Sequence, residues 1–376
     1  MVLTPPFHCP TKIFRDSDYV SVVTELHSSG SWILITTKGW LNRLAHKQLI
    51  EKCGPPECIL ETTVNPVMND VIFVGEKLSD VDYIIALGGG STIDAAKGAT
   101  VYHALKGYEK LFEEHLKSGT ELPVELPLIP ITAIPTTSGS GSEITRWGTI
   151  WGDDKIKYSV THNNLYPRYA ILDPKLCSSM PEEITISSGL DALSHAMESV
   201  WNIKHTKLTD MLSMSAISLI KENLPSVMKD GNNLEARNNM QTASLIASMS
   251  MSTTQTALAH SISYPFTAHY DMPHGFACSF TLASIAKFNM AHDEERLKPI
   301  ATAFNSTTRK LPKDIHSWFL DLDLGKYVSK YINKDIVNNL SENLINRSRA
   351  ANNIRGIDGQ QANAIVIESL ENLGVE

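Results

Sequence analysis

Twice in its first half the chain runs from an apolar, β-branched stretch straight into glycines and hydroxyl residues. No other feature constrains the fold as tightly. Val81-Asp82-Tyr83-Ile84-Ile85-Ala86-Leu87 meets Gly88-Gly89-Gly90-Ser91, and Thr92-Ile93-Asp94-Ala95-Ala96-Lys97 then opens a helix. Leu128-Ile129-Pro130-Ile131-Thr132-Ala133-Ile134 meets Pro135-Thr136-Thr137-Ser138-Gly139-Ser140-Gly141-Ser142-Glu143. Trp32-Ile33-Leu34-Ile35-Thr36-Thr37 reads as a further buried strand, followed by helical spacing over 41–52. Pro130 cannot donate to a ladder, which predicts an edge position or a bulge for its strand. Strand, glycine turn and helix in repetition predict an α/β layer, a parallel sheet with flanking helices that binds its ligand at the carboxyl ends of the strands.

The turns narrow the ligand. Successive glycines let the backbone approach a phosphate with no Cβ in the way. The helix that follows offers free N–H groups and the positive end of its dipole to a pyrophosphate, and Ser91, Thr137, Ser138 and Ser142 add hydroxyl donors. Neither turn is the G-x-G-x-x-G fingerprint or the Walker pattern. One such turn is explained equally well as a tight structural loop; two at the ends of successive strands point to a nucleotide.

Near residue 178 the character changes. Ala170-Ile171-Leu172-Asp173-Pro174 is the last strand, and from Pro181 onward the apolar spacing is helical. It covers 188–202, 207–223, 235–252, 256–266, 276–291, 294–304, 312–320, 335–348 and 360–373. Met211, Met214, Met240, Met249 and Met251 read as core filler, and the Asn-rich 338–353 as polar helix surface with a turn. The expected organisation is an α/β domain at 1–178, then an all-helical domain at 179–376, with a cleft between them; 376 residues suffice for two cores.

The helical half carries Asp191-Ala192-Leu193-Ser194-His195, then Ala259-His260 and Pro273-His274-Gly275. Asp191 and His195 are four apart and share one side of a helix; Ser187 and Ser188, just upstream, are good helix-start residues. One carboxylate and three imidazoles suit a borderline divalent ion such as Zn²⁺, Fe²⁺ or Co²⁺. An Asp/His pair four apart is common on ordinary helices, and with thirteen histidines two more downstream cost little. The metal reading takes its weight from the glycine turns that accompany it.

A net charge of −8 argues against nucleic acid or an anionic membrane as partner. No apolar run approaches the roughly 20 residues of a membrane-spanning helix, and the first residues lack the pattern of a secretory signal. Five cysteines without a Cys-x-x-Cys read as free thiols in a reducing cytoplasm.

With both halves in view, the sequence resembles the iron-containing alcohol dehydrogenases over nearly its whole length. The matching pieces are Gly88-Gly89-Gly90-Ser91-x-x-Asp94-x-x-Lys97, the run from Pro135 to Glu143, Asp191-Ala192-Leu193-x-His195-Ala196-x-Glu198, and His260 to Pro273-His274-Gly275. The resemblance implies a dehydroquinate synthase-like architecture and a metal held by Asp191, His195, His260 and His274. It implies cofactor loops at Gly88, Gly89, Gly90 and Ser91 and at Thr136, Thr137, Ser138 and Ser142, with Asp94 beside the nicotinamide. The implied enzyme is an oxidoreductase, a homo-oligomer of two or more copies. It interconverts a small aldehyde and its primary alcohol with one divalent metal, Fe²⁺ or Zn²⁺, and NAD(H) or NADP(H).

Two positions depart from the family. Tyr264 stands where a second His usually follows the third ligand by four, so Tyr264 and nearby His269 are the candidate proton donors. The first strand ends Thr36-Thr37-Lys38-Gly39, where many members carry an Asp for the ribose; Lys38 could pair with a 2′-phosphate, which keeps NADP(H) open. Ser263-Tyr264-Pro265-Phe266-Thr267, Cys278-Ser279-Phe280-Thr281-Leu282 and Thr149-Ile150-Trp151 ahead of Lys157-Tyr158-Ser159 are similar to a narrower branch acting on phosphonoacetaldehyde or sulfoacetaldehyde. Arg146 is then the candidate anion partner, a surface ion pair being its ordinary alternative.

On this reading a bound ion polarises the carbonyl for hydride transfer, the alkoxide is protonated by Tyr264, His269 or water, and each His needs an outer partner on its second ring nitrogen. The rivals are a neutral short-chain alcohol or diol dehydrogenase of the same family, a glycerol dehydrogenase-like enzyme needing three ligands, and a dehydroquinate synthase-like lyase with a Glu among its ligands. A metal-stabilised structural protein would have a closed coordination shell and no cofactor affinity.

Overall fold

The computed structural model describes residues 6–27, 29–340 and 344–376. Its strands are β1 (Lys12–Arg15), β2 (Trp32–Thr36), β3 (Cys58–Glu61), β4 (Tyr83–Gly88), β5 (Ile131–Pro135), β6 (Trp147–Trp151), β7 (Lys157–Thr161) and β8 (Tyr169–Leu172). Six form one sheet in the order β1-β8-β5-β4-β2-β3, and every neighbouring pair is parallel. β2, β4, β5 and β8 are buried at every residue, as parallel strands covered on both faces must be. Alternation divides their side chains: Trp32, Leu34, Tyr83 and Ile85 pack with Val23 and Leu49, while Ile33, Ile35, Ile84 and Ala86 pack with Val74 and Ile93. β6 and β7 form a separate antiparallel hairpin.

Pro130 is neither at an edge nor within a strand. β5 lies between β8 and β4, and Pro130 precedes it, using only its carbonyl, which accepts from Ile84 N at 2.9 Å. Its missing N–H therefore costs the ladder nothing.

The strands belong to one compact unit, Cys9–Thr137 with Ser142–Cys177. The second unit comprises Ser178–Glu376, Ser138–Gly141 and an N-terminal segment ending at His8, and after Ser178 its regular structure is helical. The Glu182–Val200 helix is buried at every residue from Gly189 to Val200, with the Lys207–Lys229 and Leu234–Thr254 helices packed against it. It starts at Glu182 with Pro181 as cap, so Ser187 and Ser188 lie inside it. The acidic pair Glu182 and Glu183 complements the dipole of its first turn.

Other expectations shift in detail. Met211 is 63% exposed and fills no core, unlike Met240 and Met251. The stretch expected as one helix over 335–348 contains the Lys334–Asn339 and Arg347–Ala350 helices, with 341–343 outside the described residues. Asn353 is no surface residue: its amide exchanges hydrogen bonds with buried Asn289 at 2.8 and 3.1 Å. Among the described residues no helix is long and apolar enough to cross a membrane.

Candidate metal centre

Asp191 and His195 come from the Glu182–Val200 helix, His260 from Leu258–Tyr270, and His274 opens His274–Ser279. Asp271 in the left-handed region ends the second of these, and the chain turns back at once. The third lies hard against the first because residue 275 is glycine: a Cβ there would sit 1.7 Å from the Ser187 carbonyl oxygen.

The three imidazoles converge on one oxygen of Asp191. Asp191 Oδ1 is 3.6 Å from His195 Nε2, 3.6 Å from His260 Nε2 and 4.0 Å from His274 Nε2. The His195 and His260 rings stack with centroids 4.9 Å apart, and His274 meets His260 edge-on at 5.2 Å. Asp191, His195 and His260 are buried, and His274 is partly exposed.

Glu198 was not singled out as a site residue, yet it completes the cluster. It is fully buried, accepts from His260 N at 3.1 Å, and stands 2.6 Å from His260 Nδ1. An ionised carboxylate only accepts, so a neutral His260 carries its proton on Nδ1 and aims the Nε2 lone pair at Asp191. Nε2 is buried and has no hydrogen-bond partner among the described residues. Burial disfavours the His260 cation, but Glu198 and Asp191 outweigh it and push its pKa up to about 9. Burial likewise pushes the Asp191 carboxyl up, and the three imidazoles overcome it and hold that group well below the carboxylate range. The field of the site thus favours a positive charge at Nε2, and an orphaned ring nitrogen facing a carboxylate is what a divalent cation fits. A signal for Glu198 was in the sequence: Asp191, His195 and Glu198 fall at i, i+4 and i+7, one helix face.

In the sheet unit, Gly88 ends β4 opposite Pro135 at the end of β5, and Thr136 N donates to Gly88 O at 3.0 Å. The two glycine turns therefore start side by side at the carboxyl edge. Gly89 caps the Gly90–Ala104 helix. Thr37 and exposed Lys38 follow β2 at the same edge, where Thr36 Oγ1 donates to Leu87 O at 2.7 Å. Ser142 Oγ donates to Asp94. Lys97, fully buried, donates to Ser142 O at 2.6 Å and Trp147 O at 2.8 Å, and lies 3.2 Å from Thr145 Oγ1. It ties the second turn to the helix that follows the first.

The remaining candidates are more dispersed. Tyr264 is partly buried one turn beyond His260, while His269 is exposed. Nine residues of helix rotate His269 roughly half a circle away from His260. Arg146 Nη1 donates to the neutral Asn163 side chain, and among the described residues no carboxylate pairs with it.

Residues 10–174 match the family described as Iron-containing alcohol dehydrogenase, and residues 185–331 match the Fe-containing alcohol dehydrogenase family, C-terminal. The 1-propanol dehydrogenase of Citrobacter freundii is 32% identical over 305 residues, covering 78% of this chain and 76% of its own length. The chain belongs to the iron-containing alcohol dehydrogenases. Members of this family are oxidoreductases. The NADPH-dependent butanol dehydrogenase of Clostridium saccharobutylicum is 34% identical over 236 residues, covering 62% of this chain and 60% of that protein. The iron-type fold is shared with the sulfoacetaldehyde reductase of Bifidobacterium kashiwanohense, solved in complex with NAD⁺. Its TM-score is 0.85 over 98% of this chain and 99% of that one, at 24% identity.

Proposed function

We propose that this iron-type dehydrogenase interconverts a short aldehyde and its primary alcohol, using a nicotinamide dinucleotide and a divalent ion held by Asp191, His195, His260 and His274. The convergence of three imidazoles on Asp191 Oδ1 carries the reading. In this proposal the helical unit is the metal-binding part and the sheet unit the dinucleotide-binding part. When bound, the ion supplies a Lewis acid for the carbonyl oxygen. Glu198 keeps the Nδ1 proton of His260 in place and so orients Nε2. Tyr264, one turn from His260, is the proton donor this reading assigns, ahead of exposed His269.

Gly88, Gly89, Gly90 and Ser91, with Thr136, Thr137, Ser138 and Ser142, would cradle the pyrophosphate through backbone N–H groups and hydroxyls. Asp94 would face the nicotinamide, and Thr37 and Lys38 the ribose. Lys38 supports NADP(H) by charge; the named cofactors of the butanol dehydrogenase and the sulfoacetaldehyde reductase support one dinucleotide each. The relatives named for 1-propanol and butanol support a neutral short-chain substrate. A second reading, an aldehyde with a phosphonate or sulfonate tail, is favoured by Arg146, whose side-chain partner is a neutral amide.

The test is a panel of neutral and anionic short aldehydes against NADH and NADPH, with metal analysis of the same sample. Reduction with about one divalent ion per chain is expected, and His274→Ala should abolish turnover while its circular dichroism stays that of the parent. A purified His274→Ala enzyme that kept most of its activity would remove His274 from the ligand set.

A further inference from the structure

Cys278 stands four residues after His274 in the same helix, so its thiol and that imidazole project to one side. Its Sγ lies 3.4 Å from Asp191 Oδ1, closer than any of the three imidazole nitrogens. One donor atom each from Asp191, His260, His274 and Cys278 lie within 4.8 Å of one another. The side chain is fully buried. A buried cysteine ordinarily packs as a small hydrophobe; this one instead points its sulfur at the carboxylate on which the histidines converge.

We propose that Cys278 is an additional, sulfur ligand of the ion, joining the Asp and three His, and that it makes the centre select zinc. The inference rests on the metal centre proposed above. A sulfur–metal bond forms as the S–H bond breaks, and the thiol proton leaves to solvent. Thiolate is a soft donor that widens the preference for Zn²⁺ over Fe²⁺ beyond what carboxylate and imidazole give alone. The competing role is that of a thiol that only hydrogen-bonds Asp191 and the Gly275 carbonyl, the latter at 3.5 Å.

Titration of the metal-free protein with Co²⁺ separates the two. Visible d–d bands that saturate at about one equivalent, together with a near-ultraviolet sulfur-to-cobalt charge-transfer band, are expected. Cys278→Ser should keep the d–d bands and lose the charge-transfer band, which excludes the other four cysteines as its source. In competition, the same variant should show a smaller preference for Zn²⁺ over Fe²⁺ than the parent. Saturation by Co²⁺ without a charge-transfer band in the parent protein would overturn the sulfur ligand and leave the four-residue centre standing. Failure to bind Co²⁺ at all would overturn both. The parent spectrum decides even if the serine variant does not fold.

Discussion

Replacing Glu198 by Gln keeps the size of the side chain and removes its charge, so the His260 Nδ1 proton is held less firmly. Metal affinity should then fall by roughly 10–100-fold, read by competition with a chelator; unchanged affinity would mean that Glu198 does not orient the ligand. If Lys38 holds a 2′-phosphate, Lys38→Asp should lower the NADPH-to-NADH ratio of kcat/KM values; an unchanged ratio would remove Lys38 from the ribose site. Lys97 makes a prediction of a different kind. Burial pushes its pKa down from 10.5 to about 8, with Asp94 and Glu143 opposing. Between those values the unfolded chain binds more protons than the folded one, so stability rises with pH, by on the order of 3 kcal/mol across the window. Urea midpoints at about pH 7.5 and about pH 9.5 should show the parent gaining on Lys97→Met as pH rises; a constant difference would refute the shift. At this scale part of the convergence on Asp191 was legible, because Asp191 and His195 share a helix face. The partnership of Glu198 with His260 joins residues 62 apart in the chain, and helix periodicity carries no information about a contact of that range.

Elements were legible where they are long or wholly buried. β2, β4, β5 and β8 show as continuous apolar runs because both faces of the sheet are covered. β1 and β3 have four residues each with exposed positions, β6 alternates and β7 is mostly half-buried, so no comparable run marked them. The expected 188–202 helix starts six residues later than the observed Glu182–Val200, whose first turn is polar and whose start signal is a proline with two acids. The expected 276–291 helix is two, His274–Ser279 and Leu282–Met290. The first of these depends on Gly275. Gly275→Ala forces a Cβ onto the Ser187 carbonyl, so the helix must shift, at about 1–3 kcal/mol, and carry His274 with it. A lower melting temperature together with a lower metal-to-protein ratio is expected; full metal content would show that the helix relaxes without moving its first residue.

For the molecule as a whole, a parallel sheet followed by a helical region was legible as a change of apolar period along the chain. That Ser138–Gly141 counts with the helices was not, since Gly141 owes its place to a close approach by Ser248, far along the chain. An ion that binds only the folded helical unit stabilises it by about 2.7 kcal/mol at a hundredfold excess over Kd. Hydrogen exchange should therefore slow in the Glu182–Val200, Leu258–Tyr270 and His274–Ser279 helices on metal loading and recover with a chelator; exchange indifferent to metal would contradict the proposed centre. The helix that carries Asp191 has neighbours on all sides from Gly189 to Val200, and its Ser194 and Ser199 turn their hydroxyls back onto its own carbonyls at 2.9 and 2.7 Å. Such a rod has no solvent-facing stripe along which substitutions can accumulate unnoticed. As descendants of this chain diverge towards new alcohols, that rod should stay nearly frozen, and the novelty should be written in side chains that do not have to fit a closed interior.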